Sequence, residues 1–385
     1  MNLRVVPVAL LLAAVACGAG SQGGDGAPAP PATAEPAPSA SSSPTGRTGN
    51  EADAAGPLDA AIAPDGATAN DSIDATTIAS ASCSAKLPVA GARALPLPAY
   101  AGVCPALVAS PATTTITSSS AQRSFIVVRP TTIAPGETLP VVFLWHWLGG
   151  DAGAMASTLE VQAAANARRF IGVVPTAKGD GLFRWPFEAS QTQARVDEEA
   201  RFFDDMLACV AAELPVNKEC VSSVGVSAGA LWTSQLATLR SERLASMVSL
   251  SGGTGGFVRN WSTTPHRLPS LVLWGGSGDV YPSQLPVMNF EKASHDLEAA
   301  MKADGHFLLE CTHNCGHAVP PFDAPAPGGG ALLFDPIWRF VLDHPYWLPA
   351  SKSPYAGKAL PAAYPSWCGQ GAGSATPRPK SATCP

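Results

Sequence analysis

Gly225-Val226-Ser227-Ala228-Gly229 is the feature that most limits how this chain can fold. It joins an apolar, β-branched run, Val221–Val226, directly to a segment of helical character beginning at Ala228. No loop separates the two, so the chain must turn sharply at Ser227. Glycines two positions before and two after the serine permit that turn, because neither brings a Cβ into it. The serine side chain is then pushed above the end of the strand. The helix start beneath it offers backbone N–H groups that have no helical acceptor. A serine held this way is a candidate nucleophile.

The flanking sequence supplies more of the same units. Apolar runs occur at Phe125–Val128, Pro140–Trp145, Phe170–Val174, Met247–Leu250, Leu271–Trp274 and Phe307–Leu309. Between them lie helical segments at Ala152–Arg169, Val196–Leu214, Ala228–Arg240, Pro286–Lys302 and Gly330–Leu342. Strands alternating with helices predict an α/β fold, a mostly parallel sheet with helices on both faces. Right-handed crossovers would gather the functional loops at the C-terminal ends of the strands.

The front of the chain reads differently. There are 27 aromatic residues, and the first is Tyr100, so a packed core is expected from about Cys83 onward. Residues 1–16 read as an export signal: Arg4 is the positive start, and Val5–Ala16 is apolar but too short to span a bilayer. The junction Ala14-Val15-Ala16-Cys17 resembles a bacterial lipoprotein signal, which implies lipidation of Cys17. Residues 17–82 then form a spacer of Ala, Pro, Gly, Ser, Thr and Asp with no aromatic residue. Residues 83–385 are the expected catalytic domain. Net charge is −6 with 14% charged residues, so nothing basic marks a nucleic-acid partner. No apolar run reaches the roughly 18 residues of a membrane-spanning helix. The expected location is the cell envelope, lipid-anchored or secreted, as a monomer.

Beyond Cys17 eight cysteines remain, an even number that suits an oxidising compartment. Proximity in sequence suggests Cys83–Cys104, Cys209–Cys220, Cys311–Cys315 and Cys368–Cys384, out of 105 connectivities. Cys311-Thr312-His313-Asn314-Cys315-Gly316-His317 alternates two metal-ligand types, but the spacing is too tight for a usual zinc site. Disulfides are expected there, and no metal or other cofactor.

A nucleophilic serine needs an imidazole to take its proton and a carboxylate to orient that imidazole. His317 stands in a loop after the run Phe307–Leu309 and before the last helical segment, which makes it the candidate base. His313 is its nearest rival. His344 lies beyond the final helix, and His266 precedes the expected acid. Asp279 follows Leu271–Trp274 in the turn Gly276-Ser277-Gly278, at a strand end from which it can reach the base. Asp323 and Asp335 come after the base in the chain, the wrong order. Ala228 N–H is the first expected oxyanion donor. The turn after Pro140–Trp145, His146-Trp147-Leu148-Gly149-Gly150-Asp151, should give the second, with Leu148 N–H nominated. His146 reads as structural. Trp147, Trp185 and Trp232 are candidate substrate contacts, each weighed against simple packing.

From about Val128 to Leu342 the chain resembles bacterial secreted esterases of the polyhydroxybutyrate depolymerase and feruloyl esterase group, within the α/β-hydrolases. The matching residues are the His146 turn, Glu199-Ala200-Arg201-Phe202, the turn at Ser227, Gly276-Ser277-Gly278-Asp279 and Gly316-His317. Trp147 stands where that group usually has Gly. Cys209 in the helix before Cys220 also resembles a disulfide of the group. The resemblance implies hydrolysis of a carboxylic ester, polymeric or small, through an acyl-enzyme. Depolymerases of solid polymer usually carry an added binding domain, and no room for one is seen after the hydrolase segment. Two alternatives stay open: a serine peptidase on the same fold, and a surface-binding lipoprotein on an inactive one.

Overall fold

The computed structural model describes residues 73–107, 109–181, 183–282, 287–322 and 332–384. The export signal, Cys17 and the spacer as far as residue 72 lie outside the described residues. In chain order the elements are α1 (Ala75–Ala79), β1 (Ala112–Ser118), β2 (Ala121–Val128), β3 (Leu139–Trp145), α2 (Ala152–Thr158), α3 (Val161–Arg168) and β4 (Ile171–Pro175). There follow α4 (Gln193–Glu213), β5 (Val216–Val226), α5 (Ala228–Arg240), β6 (Ser246–Leu250), β7 (Ser270–Trp274), β8 (Val280–Tyr281) and β9 (Met288–Asn289). The last are α6 (Phe290–Asp304), β10 (Leu308–Thr312), α7 (Asp335–Asp343) and β11 (Cys368–Gln370).

Among the described residues nine strands form one sheet in the order β1-β2-β4-β3-β5-β6-β7-β10-β11. The run from β4 to β10 is parallel throughout. Antiparallel pairs close both ends: β1 and β2 on one side, β11 on the other. Every residue of β3, β4, β6, β7 and β10 is buried, as expected of parallel strands covered on two faces. Alternate side chains of β3 serve the two layers. Val141, Phe143 and Trp145 pack with Phe203 of α4, Trp232 of α5 and Leu297 of α6. Val142 and Leu144 pack with Met155 of α2, Val161 of α3 and Trp338 of α7. The expected α/β architecture is therefore present.

Besides the short strands β8, β9 and β11 and shifted starts of α6 and α7, three differences from the expected elements stand out. The helix expected over Ala152–Arg169 is two helices, broken at Leu159 and Glu160, where Glu160 takes φ 52°. β1 was not anticipated, because its inward positions are Thr114, Ile116 and Ser118 and only one is strongly apolar. Folded structure also begins before Cys83: α1 is capped by Asp74, and Ile73, Ile78 and Ala81 pack on Trp347 and Leu348.

All four cysteine pairs suggested by sequence proximity are wrong. The bonds are Cys83–Cys220, Cys104–Cys209, Cys311–Cys368 and Cys315–Cys384. Cys83–Cys104, Cys209–Cys220, Cys311–Cys315 and Cys368–Cys384 are thereby corrected. Cys311 and Cys368 are register partners in the antiparallel β10–β11 ladder, so they face one another. Two others tie the N-terminal segment to β5 and to α4, and the last ties the C-terminal tail to the loop after β10. The 137-residue and 105-residue separations of the first two are the kind that restrain an unfolded chain most, at about 4–5 kcal/mol in the loop-entropy account.

Of the charged groups buried among the described residues, two cases contrast. Arg123 on β2 pairs with Glu199 on α4 at 2.7 Å, and Arg195 reaches the same carboxylate at 2.7 Å. The Arg123 guanidinium also lies 3.9 Å over the Phe202 ring. The group is hydrogen-bonded and charge-paired, as a buried ion must be. Glu298 on α6 differs: the exposed His295 ring stands 3.6 Å from its Oε2, an ion pair only when that imidazole is protonated. Glu298 is buried, and neither carboxyl oxygen has a hydrogen-bond partner among the described residues. Burial, with Glu310 nearby, pushes its carboxyl up to about 9 from an ordinary 4.5.

Glu298 should therefore shape stability against pH. Between about pH 5 and 9 the folded state keeps a proton that the unfolded chain has lost, so this group lowers stability as pH rises. Glu298→Gln removes that dependence. Urea midpoints measured at pH 5, 7 and 9 should fall more steeply for wild type than for the variant. Parallel curves would mean that Glu298 is ionised in the fold.

Candidate active site

Ser227 falls between β5 and α5 with no intervening residue. Its backbone takes φ 54° and ψ −118°, a conformation that costs a non-glycine residue of order 1–3 kcal/mol. Three backbone bonds hold it there. Ser227 N–H donates to Leu250 C=O at 2.9 Å, and Ser227 C=O accepts from Ala230 and Leu231 N–H at 2.8 and 3.0 Å. Both motif glycines are required by contact. A Cβ on Gly225 would stand 2.2 Å from Gly229 O, and one on Gly229 would stand 2.0 Å from Trp145 O.

The candidate acid and base come from the ends of β7 and β10. Asp279 closes a short 3-10 turn over Gly276–Gly278 after β7. It is fully buried. Its Oδ2 accepts from Ser251 Oγ at 2.7 Å and from Gly275 N–H at 2.8 Å. Its Oδ1 lies 2.7 Å from His317 Nδ1, and His317 Nε2 lies 2.9 Å from Ser227 Oγ. Because a carboxylate only accepts, Nδ1 carries the proton and Nε2 is left to accept from the serine hydroxyl. The ring of His317 stacks on Phe290 at 4.3 Å and 8°, and Tyr281 lies 5.7 Å away. The acid and base loops also touch directly: Gly316 N–H donates to Gly275 C=O at 2.9 Å.

The rival histidines are engaged elsewhere. His313 is buried and its Nδ1 accepts from Cys315 N–H at 3.1 Å; burial pushes its imidazole down to about 4. His344 is buried too, bonded to Phe340 O and Ser353 Oγ, and is likewise pushed down to about 4. His266 stacks on Tyr346 at 3.8 Å. In the Cys311–His317 stretch both cysteines are oxidised to disulfides, so neither offers a thiolate.

The turn after β3 lies beside the serine. His146 is buried, which lowers its imidazole; its Nε2 accepts from Ala177 N–H at 3.3 Å. Its Nδ1 then carries the proton and donates to Trp147 C=O at 2.9 Å. Trp147 and Leu148 are half-buried. Gly150 N–H bonds Trp147 C=O at 3.0 Å, and Asp151 caps α2. In this turn only Gly149 takes a positive φ, +78°. Trp147 can therefore occupy the usual Gly position without backbone strain. Ala228 is the first residue of α5, where helical N–H groups have no acceptor within the helix.

Two tryptophans do not belong to an exposed substrate surface. Trp185 is 1% exposed, and its Nε1 donates to His146 C=O at 2.8 Å. Trp232 is fully buried and packs edge-on against Trp145 at 6.1 Å. Each is core, and both substrate-contact expectations are corrected. Sequence reasoning missed Ser251 and Phe290, which orient Asp279 and His317. Ser251 directly follows the apolar run ending at Leu250, and that strand-end position was the available signal.

No protein-family model matches the sequence, and no curated protein matches it. Solved structures do share the fold. The native sOPH structure is similar at TM-score 0.54 and 16% identity, over 70% of this chain and 97% of that one. A pOPH variant in complex with DMSO gives 0.53 and 15%, over 71% and 98%. A ferulic acid esterase gives 0.43 and 14%, over 54% and 91%. The fold is the α/β-hydrolase fold.

The packing role assigned to Trp232 has a measurable consequence. Trp232→Ala should lower stability by about 3–5 kcal/mol, read as a fall in the urea midpoint. A midpoint within experimental error of wild type would return Trp232 to the list of surface contacts.

Proposed function

We propose that this protein is a serine carboxylester hydrolase working through an acyl-enzyme. The observation that carries the reading is the unbroken chain from Ser227 Oγ through His317 to Asp279, with steps of 2.9 and 2.7 Å. His317 Nε2 takes the hydroxyl proton as Ser227 Oγ attacks the ester carbonyl. The carbonyl oxygen becomes an oxyanion, held by Ala228 N–H and by Leu148 N–H of the turn after β3. His317 returns the proton to the leaving alcohol as the C–O bond breaks. A water then gives its proton to His317, attacks the acyl carbon and releases the acid, restoring Ser227. Asp279 keeps Nδ1 protonated and faces the imidazolium that forms. Trp147, half-buried beside this turn, is the proposed contact for the acyl or alcohol group.

Four disulfides agree with an oxidising compartment. We place the enzyme in the cell envelope, tethered through a lipidated Cys17 and the spacer that follows.

The test is hydrolysis of p-nitrophenyl acetate, butyrate and octanoate. Wild type should turn over. Ser227→Ala should lose at least about 10³-fold in kcat/KM, and Asp279→Asn about 10³–10⁴-fold. A Ser227→Ala protein with full activity would remove Ser227 from the mechanism. A folded wild type silent on all three esters would sink the ester reading.

A further inference from the structure

We propose that the C-terminal segment ending at Cys384 is a positioning element for His317, acting through Arg378, Asn314 and the Cys315–Cys384 disulfide. The inference rests on His317 being the general base.

His317 stands five residues beyond the end of β10, outside any helix or strand. On one side its loop is held by the acid loop, through Gly316 N–H on Gly275 C=O, and by the Phe290 ring. On the other side the partners come from the tail. Thr312 N–H donates to Trp367 C=O at 3.0 Å, and Arg378 N–H donates to Thr312 C=O at 3.0 Å. The Asn314 side chain is wholly engaged: Nδ2 donates to Pro379 C=O at 2.8 Å and to Ala382 C=O at 3.0 Å, while Oδ1 accepts from Arg378 Nη1 at 2.6 Å. Arg378 Nη2 donates to Thr383 C=O at 2.9 Å, folding the tail back on itself. Cys315, two residues before His317, is bonded to Cys384.

A seven-residue stretch thus carries the base at one end and is fastened along its length by the chain that follows β11, the edge strand beside β10. Gly316, between Cys315 and His317, sits at φ +66° and adds no side-chain contact of its own. With the tail released, the loop keeps its backbone bonds to Trp274 and Gly275 and the contacts of His317 with Asp279, Tyr281 and Phe290, and loses those along Thr312, Asn314 and Cys315. The hydroxyl proton must cross a 2.9 Å gap to Nε2, and a displacement of about 1 Å there can cost on the order of 100-fold.

The disulfide also allows a reversible test. Each of the other three bonds has at least one cysteine that is buried: Cys220, Cys209 and Cys311 are 1% exposed. Cys315 is half-buried and Cys384 is exposed. A dithiol reagent should reach this bond first, reducing it to two thiols as the reagent closes to its own cyclic disulfide.

The experiment uses the full-length protein and p-nitrophenyl butyrate, with an organophosphate titrating competent serines. After brief dithiol treatment, with alkylation mapped to Cys315 and Cys384 alone, kcat per titrated site should fall about 10–100-fold. KM should stay within about twofold, and reoxidation of a parallel sample that was reduced but not alkylated should restore kcat. The Cys315→Ser/Cys384→Ser protein should show the same loss and ignore the dithiol. Arg378→Ala should lose more than Arg378→Lys, which keeps a donor for Asn314. An unchanged kcat after selective alkylation overturns the proposal. So does a loss fully explained by fewer titratable sites, since that is the mark of a purely structural role. Either result leaves Ser227→Ala inactive and the esterase reading intact, whereas a silent wild type removes both.

Discussion

The candidate site depends on how closely α5 approaches the ends of β3 and β5. Gly225 and Gly229 face one another and the backbone of Trp145 at distances no Cβ could occupy. That approach sets the unfavourable backbone of Ser227, and it is stable only because the surroundings are rigid. β5 lies in the middle of the parallel run, between β3 and β6. Trp145 Nε1 donates to Ser223 Oγ at 3.0 Å, and Ser223 lies 3.2 Å from Thr233 Oγ1 of α5, so one polar chain links strand, strand and helix behind the turn. Buried polar groups bonded in this way fix a single register between helix and sheet.

The same closeness orders the other two loops. Asp279 is fully buried, yet both its oxygens are occupied, by Ser251, Gly275 and His317. Ser251 is itself anchored by its N–H on Leu273 C=O at 2.7 Å. The ends of β5, β6, β7 and β10 thus each contribute one group: Ser227, Ser251, Asp279 and His317. Parallel strands make this convergence natural, because their C-terminal ends emerge on the same edge of the sheet.

Legibility in the sequence follows from how local each determinant is. The turn at Ser227 was readable because its strand, glycines and helix occupy one short stretch. Asp279 and His317 were readable from chain order and from the strands they follow. Ser251 and Phe290 were not, since a strand-end position alone does not tell a serine that bonds a buried carboxylate from any other loop serine. Trp185 and Trp232 were misread for the same reason: an indole looks alike in sequence whether it lines a surface or fills a core. The cysteines failed most plainly. Cys209 and Cys220 are eleven residues apart, but they reach opposite ends of the N-terminal segment, Cys104 and Cys83. Pairing is a property of where strands and arms meet, and sequence distance carries little of it.

Those arms answer a problem that a nine-stranded open sheet creates. An edge strand leaves a row of unpaired backbone groups, an invitation to pair with another chain. At one edge Tyr100 OH donates to Thr117 C=O at 2.8 Å and accepts from Thr117 N–H at 3.2 Å, satisfying β1 from outside. Tyr100 can do so because its segment is pinned on both sides. Behind it Ala94 N–H bonds Glu219 Oε2 at 3.0 Å and Arg243 bonds Pro96 C=O; ahead of it Cys104 is bonded to α4. At the other edge β11 is only three residues long, and the chain after it turns away to bond Glu310, Thr312 and Asn314. Segments rich in Gly and Pro make poor helices, and extended arms fastened by disulfides need none. The edge-protecting tail and the segment that contacts the His317 loop are therefore one stretch of chain, so protecting the sheet and holding that loop draw on the same contacts.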